Sequence, residues 1–548
     1  MKLAAFFLLF LNFLPCATYK VLVFNPAFGA SHSNFLGKIS DILIDAGHEV
    51  TMLIPTFMEA KKELVGSKKV TKIIRIEQDS KCRKMQEESK FEDIMRKTVW
   101  RDDGDAATLF FSWIKNFTII SGWQCANIFQ QTTILENLKN ENFDLGITEA
   151  LSICGFPLFD HIGIKKVINA DSLLHLDIVK YAHGEPASTS FYPGVFSTDS
   201  DKMSFLGRLK NLIGLSLPWY FSWTRYQSEL EAIKPYYKKS LTWQEHLDSA
   251  AFYFVNSNQF LDYPSPTLPK TVFIGGMQVG TKSNGNLKLD KEWDDLLNTR
   301  KRNILVSFGS LAYASEMPDE FKNSLLEVFT SMPEVTFIWK YEEENATLAD
   351  HLPNVKLTTW MPQNALLADD RLTLFITHGG LGSTFELGYQ GKPAVVIPLT
   401  GDQPRNAHML TRHGGALQLD KSQLAKPEDI RNAIQTVIND EIYKKNAEKL
   451  AEILRSMPNQ PKDAVLKHCD FAVKFGNLET LKSEGRNLNF VQYYSIDILV
   501  FVVSLVLALL TVIFWISRFI FRKLFKLFSG DKSKSVSPTF FSFSAMNN

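Results

Sequence analysis

Hydrophobic positions along this chain alternate between two patterns: short continuous apolar runs, and longer stretches with apolar side chains at helical spacing. Residues 19–25, YKVLVFN, read as a strand buried on both faces of a parallel sheet. A loop is expected over 26–33. A helix is expected over 34–46, with Phe35, Ile39, Ile42 and Leu43 on one face and Gly47 as its stop. Residues 49–54 give the next strand, 55–140 read as mixed and helical, and 143–148, FDLGIT, form another short strand. Phe205, Leu209, Leu212 and Ile213 mark an amphipathic helix. Its apolar face suits a core, an apolar acceptor pocket or a bilayer surface. After a strand at 251–255, Pro264, Pro266 and Pro269 make an extended connection, and the polar glycine-containing stretch 280–286 reads as a linker. Strands are then expected at 303–307, 335–341, 355–359, 372–377, 394–399 and 416–419, separated by helices. That alternation predicts a second parallel sheet, hence an α/β chain with two Rossmann-like halves facing a cleft. Residues 444–474 read as two helices that pack back across the halves.

Two apolar segments fit neither half. The first 17 residues carry one lysine, an apolar run and then small residues, the pattern of a secretory signal peptide. Residues 498–516 are uncharged and long enough to span a bilayer. Tyr493, Tyr494 and Trp515 flank them, and Arg518, Arg522, Lys523 and Lys526 follow, so the positive-inside rule predicts a single-pass type I protein with a lumenal body. Composition changes little: 45% hydrophobic and 22% charged residues are ordinary for a globular protein of 548 residues, and a net charge of +1 gives no reason to expect nucleic acid. Cys82, Cys125, Cys154 and Cys469 match no metal spacing, and a disulfide or free buried thiols are both compatible with them. Asn116 and Asn345 head glycosylation sequons.

The candidate chemistry lies at strand ends. After the run at 372–377 come His378, Gly379, Gly380, Leu381, Gly382 and Ser383, with a helix expected from 384. A glycine turn between strand and helix lets backbone N–H groups approach an anion. His378 as a cation-capable ring, the Ser383 hydroxyl and the Glu386 carboxylate around such a cradle suggest a nucleotide, with its ribose on the carboxylate. A plain strand–helix turn whose glycines serve packing is the simpler reading of the glycines alone. In the other half, His32 in the 26–33 loop and Glu149 just past 143–148 are expected on one sheet edge. A carboxylate beside a histidine fixes its tautomer and raises its basicity, as a general base requires. Taken singly, a loop histidine is often only solvated and such a glutamate only a helix cap.

With its surroundings, the glycine turn closely resembles the UDP-glycosyltransferases. Phe375, Ile376, Thr377, His378, Gly379, Gly380, Ser383, Glu386, Pro393, Pro398, Asp402 and Gln403 fit that family's pattern in register. Ser307-Phe308-Gly309-Ser310, Trp360-Met361-Pro362-Gln363, Asn406-Ala407, the His32 loop with residues 46–51, and residues 493–497 agree as well. The resemblance runs from leader to anchor and departs only in the final tail, Ala545-Met546-Asn547-Asn548, which lacks a dilysine retrieval signal. It implies a GT-B fold with a signal peptide at 1–17, an acceptor domain at 18–280, a UDP-sugar domain at 281–490, a membrane helix at 496–517 and a basic cytosolic tail at 518–548. Trp360 is then expected to stack on uracil, Gln363 to bond the nucleoside and Glu386 the ribose. Ser310, His378, Gly380 and Ser383 would hold the diphosphate, and Asp402 and Gln403 the sugar. His32, supported by Glu149 where many relatives have Asp, becomes the base of an inverting transfer to a small lipophilic acceptor, as in detoxification.

Neither a metal nor a resident cofactor is expected, since the UDP-sugar is a co-substrate. Glucuronate and glucose both remain open, with Arg405 as one candidate cation for a glucuronate carboxylate. The endoplasmic reticulum is the expected location, and a homo-oligomer is compatible with the sequence. Two other readings are a catalytically silent binding protein of the same fold and a nicotinamide oxidoreductase. The second requires a glycine spacing that Gly379, Gly380 and Gly382 do not have.

Overall fold

The computed structural model describes residues 18–89, 96, 98–101, 104–280 and 287–529. The expected signal peptide, most of the linker and the end of the tail lie outside these residues. The chain divides into two compact units, Met1–Ser483 and Glu484–Asn548.

Among the described residues of the first unit there are two fully parallel sheets. The first runs β3-β2-β1-β4-β5-β6-β7, with β1 Lys20–Phe24, β2 Glu49–Pro55, β3 Lys72–Ile76, β4 Leu145–Thr148, β5 Val167–Asp171, β6 Phe252–Val255 and β7 Thr271–Phe273. The second runs β10-β9-β8-β11-β12-β13, with β8 Arg302–Ser307, β9 Val335–Lys340, β10 Val355–Thr358, β11 Leu372–Thr377, β12 Ala394–Val396 and β13 Ala416–Gln418. β1, β4, β8 and β11 are central and almost wholly buried, which is why they read as unbroken apolar runs. β3, with its Lys72 and Arg75, is a partly exposed edge strand, and its charges hid it within the mixed region. β5 gives no clear apolar run either, because its sequence VINAD carries Asn169 and Asp171.

Strand order decides where chemistry can collect. In the first sheet the order reverses between β1 and β4, and in the second between β8 and β11. Ligands bind outside the carboxyl ends of strands at such switch points. The segments leaving β1 and β4 carry His32 and Glu149, and those leaving β8 and β11 carry Ser310 and His378–Ser383.

The two sheets are joined by specific bonds. Arg405 donates through Nη2 to Asp262 Oδ1 at 2.7 Å and through Nε to the Pro193 carbonyl at 3.0 Å. His413 Nε2 lies 2.9 Å from the Leu261 carbonyl, and Lys421 Nζ donates to the Arg101 carbonyl at 3.0 Å. Of the two helices expected near the end of the body, Glu441–Arg455 packs Leu454 onto the Leu381–Gln390 helix beside Gly388. The other, Pro461–Phe475, returns to the first sheet and buries Val465, Cys469 and Ala472 among Val21, Ile39 and Ile147. Cys125 and Cys154 form a disulfide, while Cys82 and Cys469 are free and buried.

The Phe205–Gly214 helix is not a core helix. Its buried face is Gly207 and Asn211, and Asn211 bonds the Thr189 and Tyr192 carbonyls and the Gly194 N–H. Its apolar residues point outward, with Phe205 71%, Leu212 52% and Ile213 61% exposed. Of the two sequons, Asn345 is exposed at a positive-φ loop position, whereas Asn116 lies within the Gly104–Gln130 helix.

In the second unit, Ile496–Ser529 is a single helix of 34 residues, long and apolar enough to cross a membrane. At about 1.5 Å per residue it exceeds a bilayer core, and its basic end carries Arg518–Lys526 beyond the apolar stretch.

Candidate active site

The helix after β1 begins at Ala30, four residues before its sequence-based start, with extended Gly29 as its N-cap. Ala30, Ser31 and His32 contain nothing that breaks a helix, and Asn34, which looks like a cap, sits on the exposed side. His32 therefore belongs to the first helical turn and not to a loop. That fixes its backbone and aims the ring at the end of β4.

There His32 Nδ1 lies 3.0 Å from Glu149 Oε1 and 2.9 Å from Oε2. The extra methylene of glutamate relative to aspartate is accommodated, since both oxygens reach the ring nitrogen. Ser172, directly after β5, clamps the carboxylate: its N–H donates to Oε1 at 3.0 Å and its hydroxyl at 2.5 Å. With Nδ1–H turned to the carboxylate, Nε2 keeps a lone pair, the form a general base needs. Burial works to lower the His32 pKa, but the charge and hydrogen bond of Glu149 outweigh it, and the imidazole ends above its ordinary value. For Glu149 burial works upward, but His32 and Ser172 hold its pKa below the usual value. Asp171, next to Ser172, is pushed up to about 8 by burial and by Glu149, so at neutral pH Glu149 carries the charge and Asp171 the proton.

An aromatic group adjoins the dyad. Phe28 is edge-on to His32 at 6.4 Å and packs with Phe57 and Phe117, against which Trp113 and Phe221 lie. Arg225 is fully buried among these rings, 4.6 Å from the Phe221 centroid, and its three nitrogens have no hydrogen-bond partner. Its charge opposes protonation of His32.

In the other half the helix after β11 spans Leu381–Gln390, starting three residues before the expected position, with Gly380 as N-cap. Gly382 and Ser383 are thus first-turn residues whose backbone N–H groups have no place in the helical ladder and face outward as anion donors. Gly309 has φ +87°, and a Cβ there would lie 2.5 Å from His378 Cε1. A Cβ on Gly380 would lie 2.6 Å from His378 Nε2. The two glycines therefore sandwich the ring. Burial and nearby Lys340 push His378 down to about 4, so it is a neutral imidazole, not the cation its sequence position suggested.

Ser310 is exposed at the end of the β8 loop, and Trp360 is 69% exposed. Gln363 Nε2 bonds Ser383 Oγ at 3.1 Å and Glu386 Oε2, tying two expected nucleoside contacts and one expected diphosphate contact into one cluster. Burial pushes Glu386 up to about 7. Asp402 is held by Asn406 Nδ2 at 2.8 Å, and Asn406 also donates to the Gly379 carbonyl. Gln403 is used differently from its neighbour: its Oε1 accepts from the Leu399 and Thr400 N–H groups, so its carbonyl braces the loop. Arg405 is not a free cation for a sugar carboxylate: it is fully buried, paired with Asp262 and Pro193 and flanked by the Tyr192 and Tyr263 rings, with Nη1 alone lacking a partner.

The two groups approach each other across the cleft. Asp402 raises the His32 pKa and His32 lowers that of Asp402, so the expected base and the expected sugar contact share one electrostatic environment although they come from different sheets. Ser172, Asp171, Arg225, Lys340 and the Arg405–Asp262 pair escaped sequence reasoning. A polar Asp171-Ser172 pair closing a buried run was the one available signal.

Residues 19–530 match the model of the family described as UDP-glucoronosyl and UDP-glucosyl transferase. The chain is 27% identical over 497 residues to ugt-48 of Caenorhabditis elegans, covering 89% of this chain and 92% of that protein. It is 28% identical over 536 residues to UDP-glucuronosyltransferase 2B33 of Macaca mulatta, covering 94% and 95%. Among solved structures, a UDP-glucosyltransferase from Polygonum tinctorium aligns with a TM-score of 0.56 at 15% identity, over 83% of this chain and 99% of that one. Phytolacca americana UGT2, complexed with UDP-2fluoro-glucose and pterostilbene, aligns at 0.54 and 16%, with the same coverage. At such identities these two structures show the fold, which is GT-B. The family match over residues 19–530 and the relatives that align along nearly the whole chain place it in the UDP-glucoronosyl and UDP-glucosyl transferase family, as a glycosyltransferase that takes its sugar from a UDP-sugar.

Proposed function

We propose that this protein is an inverting transferase in which His32 is the base and a small lipophilic molecule the acceptor. The observation that carries the reading is the His32–Glu149 pair at the first switch point, electrostatically coupled to Asp402 from the second. His32 Nε2 takes the proton from the acceptor's O–H as its oxygen bonds the anomeric carbon. The bond from that carbon to the diphosphate oxygen breaks on the opposite face, and UDP leaves with the electron pair. Charge on the leaving diphosphate meets the first-turn N–H groups after Gly380, the Ser383 and Ser310 hydroxyls and the helix dipole, with neutral His378 as a further hydrogen-bond partner. Trp360 stacks on uracil, Gln363 and Glu386 take the nucleoside, and Asp402 takes sugar hydroxyls. No metal or resident cofactor enters this scheme. The aromatic group around Phe28 supports an apolar acceptor, in keeping with conjugation of lipophilic compounds.

The Ile496–Ser529 helix serves as the membrane anchor, and its basic end supports a cytosolic tail and a lumenal body in the endoplasmic reticulum. The outward apolar face of the Phe205–Gly214 helix supports contact between the body and a bilayer surface. The intact dyad disfavours a catalytically silent binding protein.

The test is stereochemical. With UDP-α-glucose or UDP-α-glucuronate and a phenolic acceptor, the product should be the β-anomer by its anomeric proton coupling, and the faster donor identifies the sugar. An α-linked product would overturn the mechanism.

A further inference from the structure

Away from the transfer site, His175, His183 and Glu185 converge on one point. His175 lies in the segment after β5, His183 is the C-cap of the Asp177–Ala182 helix, and Glu185 follows at once. All three are 2–3% exposed. Their side-chain ligand atoms lie within 4.8 Å of one another, the one such group of His, Cys, Asp or Glu found among the described residues.

The hydrogen bonding around them is incomplete in a particular way. His183 Nδ1 lies 2.7 Å from the Val179 carbonyl and must donate to it, which leaves Nε2 with a bare lone pair. Glu185 Oε1 accepts from the Leu268 N–H at 2.8 Å and from the Thr271 hydroxyl at 3.2 Å, whereas Oε2 has no hydrogen bond. His175 Nε2 is 2.6 Å from that Oε2 and yet not aligned for a hydrogen bond with it, and His175 Nδ1 also has no partner. The Thr271 hydroxyl is 3.4 Å from His183 Nε2, but its single proton cannot serve both the histidine and the glutamate. Two imidazole nitrogens and one carboxylate oxygen thus converge in a buried space, and those of His175 and Glu185 have no well-aligned hydrogen bond. A backbone carbonyl holding the far nitrogen of an imidazole, and two donors holding the far oxygen of a carboxylate, are how proteins orient metal ligands.

We propose that His175 Nε2, His183 Nε2 and Glu185 Oε2 bind a divalent transition ion of the zinc type. Two imidazoles and one carboxylate suit zinc or cobalt better than magnesium or calcium, which prefer all-oxygen shells. Tetrahedral ligands about 2.0–2.1 Å from an ion stand roughly 3.4 Å apart. The His183–Glu185 separation of 3.6 Å already fits that spacing, and the His175–Glu185 separation of 2.6 Å must open on binding. The role is structural. The ion would pin the segment between Ser172, which clamps Glu149, and Pro193, which holds Arg405, to the sheet edge at Thr271. It takes no part in the transfer step, so it stands or falls independently of the proposed mechanism.

The test uses untagged full-length protein in detergent, stripped with chelator and titrated with Co²⁺. One equivalent should bind, with the absorption of a tetrahedral cobalt centre, and Zn²⁺ should displace it. H183A and E185Q should weaken binding by more than the roughly 10–100-fold that loss of an outer partner costs. H468A, which alters a histidine on the Pro461–Phe475 helix, should leave binding unchanged. UDP binding by each variant checks that it is folded. No saturable binding by the parent, or undiminished one-to-one binding in folded E185Q, would overturn the site.

Discussion

At the scale of single residues, the proposed base His32 is tuned by two opposed effects. Burial alone would depress His32, and Glu149 more than compensates. A base works only when unprotonated, so turnover should fall as pH drops through the raised His32 pKa. In E149Q that charge is gone, and burial is opposed only by the smaller effect of Asp402. The acid limb of kcat/KM should then move to lower pH while the maximal rate falls, because the amide no longer enforces the Nδ1–H tautomer. An acid limb that stays in place in E149Q would mean that His32 is not the titrating group. His32 and Glu149 were legible in the sequence because each sits just past a central strand. Ser172 and Arg225 were not. Ser172 follows a strand whose pattern is ambiguous, and Arg225 is one cation in an aromatic helix whose surroundings only the fold assembles.

At the scale of elements, the proposed site depends on two helix starts, one in each half, and on the loop after β8. In both halves the helix begins a turn before the start that Asn34 and Thr384 suggest, because polar residues inside a first turn look like caps. The glycines are not equivalent. Gly309 combines φ +87° with a Cβ position against His378, whereas a Cβ on Gly382 would meet nothing closer than 3.7 Å. G309A should weaken UDP binding measurably by calorimetry and destabilise the fold by about 1–2 kcal/mol, while G382A should bind UDP as the parent does. Equal UDP affinity in G309A would show that the β8 loop does not shape the diphosphate site. The Phe205–Gly214 helix illustrates a different limit: periodicity showed its amphipathic character but not which face is covered, since a buried asparagine can anchor a helix whose leucines face outward.

At the scale of the whole molecule, the cleft is usable only if the two sheets hold a fixed relation. Arg405, which from sequence looked like a sugar contact, instead joins the halves through Asp262 in a buried ion pair. Removing one partner of such a pair leaves an uncompensated charge and costs about 3–5 kcal/mol. D262A should therefore lower the thermal midpoint of the body and reduce turnover without touching either substrate, and an unchanged midpoint would contradict the strut. The two-sheet plan and the long apolar C-terminal helix are readable from periodicity. The strut is not, because its partners are 143 residues apart and nothing around Asp262 marks it as the partner of Arg405.

The central claim, that one half moves the proton while the other holds the leaving group, meets its most direct test in H32A. Single-turnover transfer should fall by about 10²–10⁴-fold while the affinity for UDP stays at the parental value. Transfer that persists, or UDP binding that collapses with it, would contradict the division of labour between the two halves.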